Sequence, residues 1–281
     1  MAKFGLLDAG GGMRGVYTAG IYDYMIDRNI KPEYCLGISA GSANMITYIA
    51  GQRDRDRRFY TDYILRHEYM SIRNFFKTGE YLSLDYIYSV LSNSDGEDPL
   101  DFPAFKASDC VFIVPATDAE TGEQVFFNND DFEQDNLQVL KASSALPIAC
   151  KPVKVKNRLY FDGGLAEPIP YRRVFEDGCE KAVIIITRTA DEIRGPQKNM
   201  WIFKMWLRKY PAIVKALAER HIKYNRAIAE IKELEKEGKV LLIAPDDICG
   251  MGSLTKDMDT INALYKKGYE DAKKIEDFMN G

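Results

Sequence analysis

Residues 34–41 read YCLGISAG, and the reading of this stretch decides the fold. Tyr34 to Leu36 is a short apolar run of the kind that forms a buried strand. The residues that follow, AGSANMITYIAG, have helical spacing and stop at Gly51. Between strand and helix stand Gly37, Ser39 and Gly41 in the order G-x-S-x-G. That order places a serine on a sharp strand-to-helix turn, where the glycines permit strained backbone and close packing. The free N–H groups and positive dipole end of the helix then face the serine oxygen. Ser39 is thus a candidate nucleophile and Gly37 and Gly41 its elbow.

Upstream, Phe4 to Leu7 is a second apolar run. It leads into residues 8–15, DAGGGMRG, and then into helical spacing from Val16 to Tyr24. Gly10, Gly12 and Gly15 satisfy the G-x-G-x-x-G pattern of a dinucleotide loop. A dinucleotide site also wants an acid at the end of the next strand, to bind the ribose hydroxyls. That position holds the serine elbow instead, and Glu33 lies at the strand's start. The loop therefore suits a transient oxyanion better than a pyrophosphate. If the first two strands are parallel neighbours, the bare amides of Gly10, Gly11, Gly12, Met13, Arg14 and Gly15 come close to Ser39. One lost oxyanion donor typically costs about 2.7–4 kcal/mol of transition-state stabilisation. No nucleotide, metal or other cofactor is expected. A nucleotide-binding oxidoreductase is the alternative that the glycines alone would support.

The rest of the chain fits an ordinary globular protein of 281 residues, 46% hydrophobic and 28% charged. A net charge of −4 gives no basic field for gripping nucleic acid. Cys35, Cys110, Cys150, Cys179 and Cys249 are odd in number and lack a C-x-x-C, which suits free thiols in a reducing cytosol. The N-terminus shows no secretory h-region, and no run approaches the roughly 18 apolar residues of a membrane span. A cytoplasmic protein is expected, with any lipid contact peripheral.

Further strands are expected in residues 110–127, around a Thr-Gly turn, and in residues 151–164, turning at Lys156-Asn157. Two more are expected at KAVIIIT and KVLLIAP. Helices are expected near residues 136–145, over 201–237 and over 258–279. The charge run RDRDRR at 53–58 reads as a solvated helix face. Strands alternating with helices give an α/β domain with a mainly parallel sheet.

A serine nucleophile needs a base, and the chain has only two histidines. His67 and His221 both fall in helical patterns. Ser39–Asp162–His221 follows the chain order of an α/β-hydrolase triad, the alternative esterase reading. Against it, His221 sits inside a long charged helix and Ser39 follows only one strand–helix unit. The other base is a carboxylate. RLYFDGG puts Asp162 at the end of an aromatic strand, followed by Gly163 and Gly164. Partial desolvation there would raise its pKa and make it a better base. The glycines would let the turn approach Ser39.

Taken in order, the glycine loop (Gly10-Gly11-Gly12-Met13-Arg14-Gly15), the elbow (Gly37-Ile38-Ser39-Ala40-Gly41) and Asp162-Gly163-Gly164 resemble the patatin-like phospholipase family. ASSALPIACKPV, leading into the third motif, is similar to the family too. The resemblance spans roughly residues 4–190. It implies a three-layer α/β/α sandwich with a mainly parallel sheet and a Ser39–Asp162 dyad without histidine. It also implies an oxyanion hole in the glycine loop and calcium-independent hydrolysis of lipid acyl esters, of the phospholipase A or lysophospholipase type. The asparagine common a few residues past D-G-G is replaced by Glu167-Pro168. Residues 1–190 are expected to form the catalytic core. Residues 191–281 are expected as a helical extension, with a final strand and helix, packed on the same domain. Arg14 suits either a substrate phosphate or a buried loop-clamping ion pair. Trp201–Lys209 mixes aromatics with cations, as at a membrane interface or lid; packing on the sheet is the reading adopted.

Overall fold

Along β1 (Phe4–Asp8), Leu6 and Leu7 are both fully buried but belong to different hydrophobic clusters. The same alternation holds for Cys35 and Leu36 on β2 (Tyr34–Gly37), and for Phe112 and Ile113 on β3 (Val111–Asp118). Because successive side chains of a strand point to opposite faces, two cores on one sheet make three layers. The computed structural model describes residues 3–248, 250–252 and 255–280. The four cysteines among them are unpaired, and Cys249 lies outside the described residues.

The remaining strands are β4 (Gln124–Phe127), β5 (Val153–Val155), β6 (Arg158–Asp162), β7 (Lys181–Ile185) and β8 (Val240–Ile243). They lie in the order β5-β6-β3-β2-β1-β7-β8, with β4 also paired to β3. From β3 through β8 the pairing is parallel, whereas β4 and β6 run antiparallel to the later part of β3. The helices are α1 (Val16–Asp27), α2 (Ala40–Ile49), α3 (Arg55–Thr61), α4 (Ile72–Thr78), α5 (Phe102–Lys106) and α6 (Gln138–Ser143). They continue as α7 (Tyr171–Glu176), α8 (Met200–Trp206), α9 (Pro211–Lys236), α10 (Met258–Asp271) and α11 (Lys273–Asn280). Side chains of α1, α2 and α10 cover one face of the sheet and those of α7 and α9 the other. The fold is the α/β/α sandwich anticipated from the sequence. No helix among the described residues is long and apolar enough to cross a membrane.

Close packing ties the C-terminal helices to the N-terminal ones. A Cβ on Gly20 would stand 2.1 Å from the Tyr265 carbonyl oxygen, and one on Gly268 would stand 1.9 Å from that of Tyr17. Two glycines thus let the α1 and α10 backbones touch, and Tyr17 Oη donates to Asp271 at 2.7 Å across the contact.

Several local expectations fail for identifiable reasons. The helix expected over 201–237 is two helices, since Pro211 lacks an N–H and holds Tyr210 out of helical geometry. The closing helix breaks at Ala272. His67 lies in a turn rather than a helix. The charge run is not a solvated face: Arg55 and Asp56 are buried, and Arg55 and Arg58 reach Asp98 at 3.4 and 2.7 Å. Helix α8 packs only in part. Met200 and Phe203 rest on a small core with Phe161 and Leu217, whereas Trp201 and Trp206 are 67% and 54% exposed.

Candidate active site

The turn after β2 is strained where the sequence places the serine. Ser39 has φ 56° and ψ −128°, a conformation that non-glycine residues rarely adopt and that proteins keep mainly at functional sites. It is stabilised by packing. A Cβ on Gly37 would lie 2.6 Å from Ser42 Cα, and one on Gly41 2.6 Å from Asp8 Cγ, so neither position admits a side chain. The Ser39 N–H donates to Ser143 Oγ at 3.0 Å, and helix α2 starts immediately after it.

The glycine loop abuts this elbow. Gly10, Gly11 and Gly12 all have positive φ. A Cβ on Gly10 would sit 2.2 Å from the Ile38 carbonyl oxygen. Asp8 Oδ1 accepts the Gly10 N–H at 2.8 Å and Oδ2 accepts the Tyr22 hydroxyl at 3.0 Å. Burial lifts the Asp8 pKa to about 6, opposed by those donors and by Thr18. Thr187 Oγ1 donates to the Gly10 carbonyl at 2.7 Å. The loop is thereby fixed while the N–H groups of Gly11, Gly12 and Met13 donate to no acceptor among the described residues. Gly12–Gly15 form the one-turn helix that leads into α1.

Asp162 ends β6, opposite Ala116 of β3. Its N–H donates to the Ala145 carbonyl at 3.0 Å, and the Gly163 N–H to that of Ser143 at 3.2 Å. Residues 143–145 therefore hold the elbow and the Asp-Gly-Gly turn at once. A Cβ on Gly163 would meet the Pro115 carbonyl oxygen at 2.2 Å, which explains the first of the two glycines. Asp162 Oδ1 accepts the Gly164 N–H at 2.8 Å, while Oδ2 is buried without a hydrogen-bond partner. Burial raises its pKa; Arg220, the Ser39 hydroxyl and the Gly164 N–H pull it back. The Ser39 hydroxyl thus neighbours the carboxylate without a closed hydrogen bond, a common state of unliganded sites.

Two cavities meet at Ser39. One is walled mainly by apolar residues such as Phe59, Ile64, Leu82, Ile87 and Leu140, and reaches Gly12 and Met13. The other is lined by Gly10, Gly11, Gly12, Asp162 and a set of arginines. The glycine loop, Ser39 and Asp162 meet here, whereas no residue of Trp201–Lys209 lines either cavity. Neither His67 nor His221 lines either cavity; Arg220 and Tyr224, from the same helix as His221, do. Asp8, Ser143 and Arg220 are site residues that sequence reasoning missed.

Residues 9–175, more than half of the chain, match the family described as Patatin-like phospholipase. The chain belongs to the patatin-like phospholipase family. Its patatin region holds all three motifs and ends before β7. A second match, to a domain of unknown function (DUF6363), covers residues 210–279, the stretch from α9 to α11. The uncharacterized protein YjjU of Escherichia coli (strain K12) is 26% identical over 213 residues, which are 73% of this chain and 57% of that protein. The chain thus spans little more than half the length of this relative. Among solved structures, VipD from Legionella pneumophila superposes with a TM-score of 0.53 at 12% identity, over 99% of this chain and 67% of that one. The last likeness is one of fold.

Proposed function

We propose that this patatin-like protein is a serine hydrolase of lipid acyl esters, of the phospholipase A or lysophospholipase type. Ser39 attacks the ester carbonyl and Asp162 takes its proton. The amides of the Gly10–Gly15 loop receive the oxyanion; Gly11, Gly12 and Met13 are the ones without another acceptor. Water activated by Asp162 then releases the acid from the acyl-enzyme. Gly37, Gly41, Gly163 and Gly164 allow the backbone approaches that bring the two side chains together.

The observation that carries this reading is the position of Ser39 on the wall shared by an apolar cavity and one containing Asp162. An acyl chain fits the first, and the strained serine stands at its mouth. Peripheral contact with a lipid surface is part of the proposal. The Phe75 ring of α4 lies 5.9 Å from that of Trp206 of α8 at a tilt of 54°, so the exposed Ile72 and Phe76 sit on a helix adjoining the one that carries the exposed Trp201, Met205 and Trp206, with Lys77 and Lys204 nearby in sequence. On the same reading residues 1–190 form the catalytic core and 191–281 an extension that adds Arg194 and Arg220 to its rim.

A fluorophosphonate probe tests the nucleophile. Labelling of the wild type that disappears in Ser39→Ala is expected; undiminished labelling of a folded Ser39→Ala protein would refute the assignment.

A further inference from the structure

The second cavity at Ser39 carries far more positive charge than the dyad needs. Arg14, Arg188, Arg194 and Arg220 all line it, and among the described residues Asp162 is its only acidic lining residue. Arg188 is paired with Glu192. Arg194 has its guanidinium 4.8 Å from the Tyr224 ring centroid and makes no ion pair with a described residue. Two hydrogen bonds of 2.9 Å between its backbone and the Asn225 side chain hold it on the cavity wall. Arg220 is half-buried, with its Nε sealed from solvent and unpartnered. The buried Tyr224 hydroxyl, facing the same space, also lacks a partner.

Converging cations repel one another, and burial makes the repulsion harder to screen. Burial, aided by Arg188, brings the Arg14 pKa down to about 10; burial, aided by Arg220, does the same to Arg194. A ligand with several anionic oxygens would relieve the repulsion and supply acceptors for Arg220 Nε and Tyr224 Oη. Guanidinium forks are well matched to phosphate.

We infer that this cavity binds the phosphate of the leaving group, and that the preferred substrates are acyl esters of phosphorylated alcohols carrying net negative charge. The inference rests on Ser39 as the nucleophile. An ester bound there with its acyl chain in the apolar cavity directs its alcohol portion into the arginine-lined one. Among the described residues Asp162 is the one acid on the wall, and the nearby Glu192 is engaged by Arg188, so no open carboxylate is offered to the ammonium of a zwitterionic head group. Arg188 lies beyond the patatin match, as does Arg194, and Arg220 and Tyr224 lie in the 210–279 match. Arg14 is the one cavity arginine inside the patatin match, so most of the positive charge behind the head-group preference comes from residues beyond it.

Binding and turnover are measured separately. Inorganic phosphate and glycerol 3-phosphate are titrated calorimetrically into Ser39→Ala and into Ser39→Ala/Arg194→Gln. The ratio of kcat/KM for a monoacylglycerol phosphate over the matching monoacylglycerol is then compared in wild type, Arg194→Gln and Arg188→Gln. Expected are saturable phosphate binding that weakens about tenfold or more with Arg194→Gln, and a wild-type ratio above about ten that collapses in both arginine variants. A ratio unmoved by either variant overturns the inference. Phosphate binding that needs Arg194, with an unmoved ratio, assigns the cavity to a free anion and overturns the leaving-group role. No turnover of either ester, with Arg194-dependent phosphate binding intact, overturns the hydrolase reading and its leaving group while the anion site stands.

Discussion

Replacing Arg220 by methionine would remove a charge from beside the proposed base and leave most of the side-chain bulk. Arg220 Nη2 and Asp162 Oδ1 each lie 3.2 Å from the point where a Cβ on Gly164 would begin, so the two are no more than twice that distance, about 6.4 Å, apart. They form no direct ion pair. At about 5 Å and an effective dielectric constant of about 20, a pair of unit charges is worth about 3 kcal/mol. That corresponds to about a hundredfold in the ionisation equilibrium of the carboxyl group. Burial already pushes Asp162 toward its neutral form, and Arg220 is the first influence opposing it. Without the guanidinium the carboxylate becomes harder to ionise. The acid limb of the kcat/KM profile for a short-chain p-nitrophenyl ester should then move about one to two pH units to the alkaline side. Activity lost at mildly acidic pH should return at alkaline pH, and Arg220→Lys should keep most of the wild-type profile. The thermal midpoint should stay level or rise, because the variant no longer buries an unpartnered Nε. A profile superimposable on the wild type, or an equal loss at every pH, would refute the coupling.

Three more tests probe the frame of the site. Asp162→Asn should lower turnover by about 10²–10⁴-fold while His221→Ala remains active; a folded but inactive His221→Ala protein would instead favour a triad. Gly10→Ala should cost more than about 2 kcal/mol in urea unfolding, since its Cβ would stand 2.2 Å from a carbonyl oxygen at φ 65°; a wild-type midpoint would show that the loop yields. Asp8→Asn should give a pH-dependent change in stability. The folded-state pKa of about 6 lies above the ordinary 3.8, so ionised Asp8 penalises the fold above about pH 6. That penalty is relieved as pH falls through 6 toward 3.8. The variant should therefore gain on wild type by about 3 kcal/mol more at neutral pH than below pH 4, and an equal difference at both would count against the assignment.

Sheet and elbow were legible because both depend on local pattern. Apolar runs such as KAVIII and the glycines around Ser39 state their geometry within a few residues. Asp162 was legible for the same reason. The long-range partners were not. Arg220 sits in a helix that reads as charged and solvated, yet Ile213, Leu217, Tyr224, Ala227 and Ile231 form its buried stripe at helical spacing. Arg220 falls on that stripe, three residues after Leu217 and four before Tyr224, where an apolar residue would be the rule. A cation on the core-facing side of a helix was the available signal. Ser143 offered no such signal. Its role comes from a turn that brings residues 143–145 between elbow and base, and a serine in ASSALP states nothing of that.

The pairing of β3 with β6 has a consequence for how this protein can change. Ala116 faces Asp162 and Asp118 faces Tyr160, while the earlier part of β3 is in register with the strand that delivers Ser39. The gap between the two reacting groups is therefore set by ladder positions along one strand, and Thr117 Oγ1 locks the setting by donating to the Asp162 carbonyl at 2.8 Å. A slip of one residue would turn the carboxylate to the other face of the sheet, and a slip of two would carry it about 7 Å away. Insertions in the connection between β4 and α6 leave that ladder untouched, whereas a single extra residue inside β6 would not. Natural variation, and any attempt to graft new loops onto the scaffold, should follow this division: free lengths between the strands, and fixed counts within them.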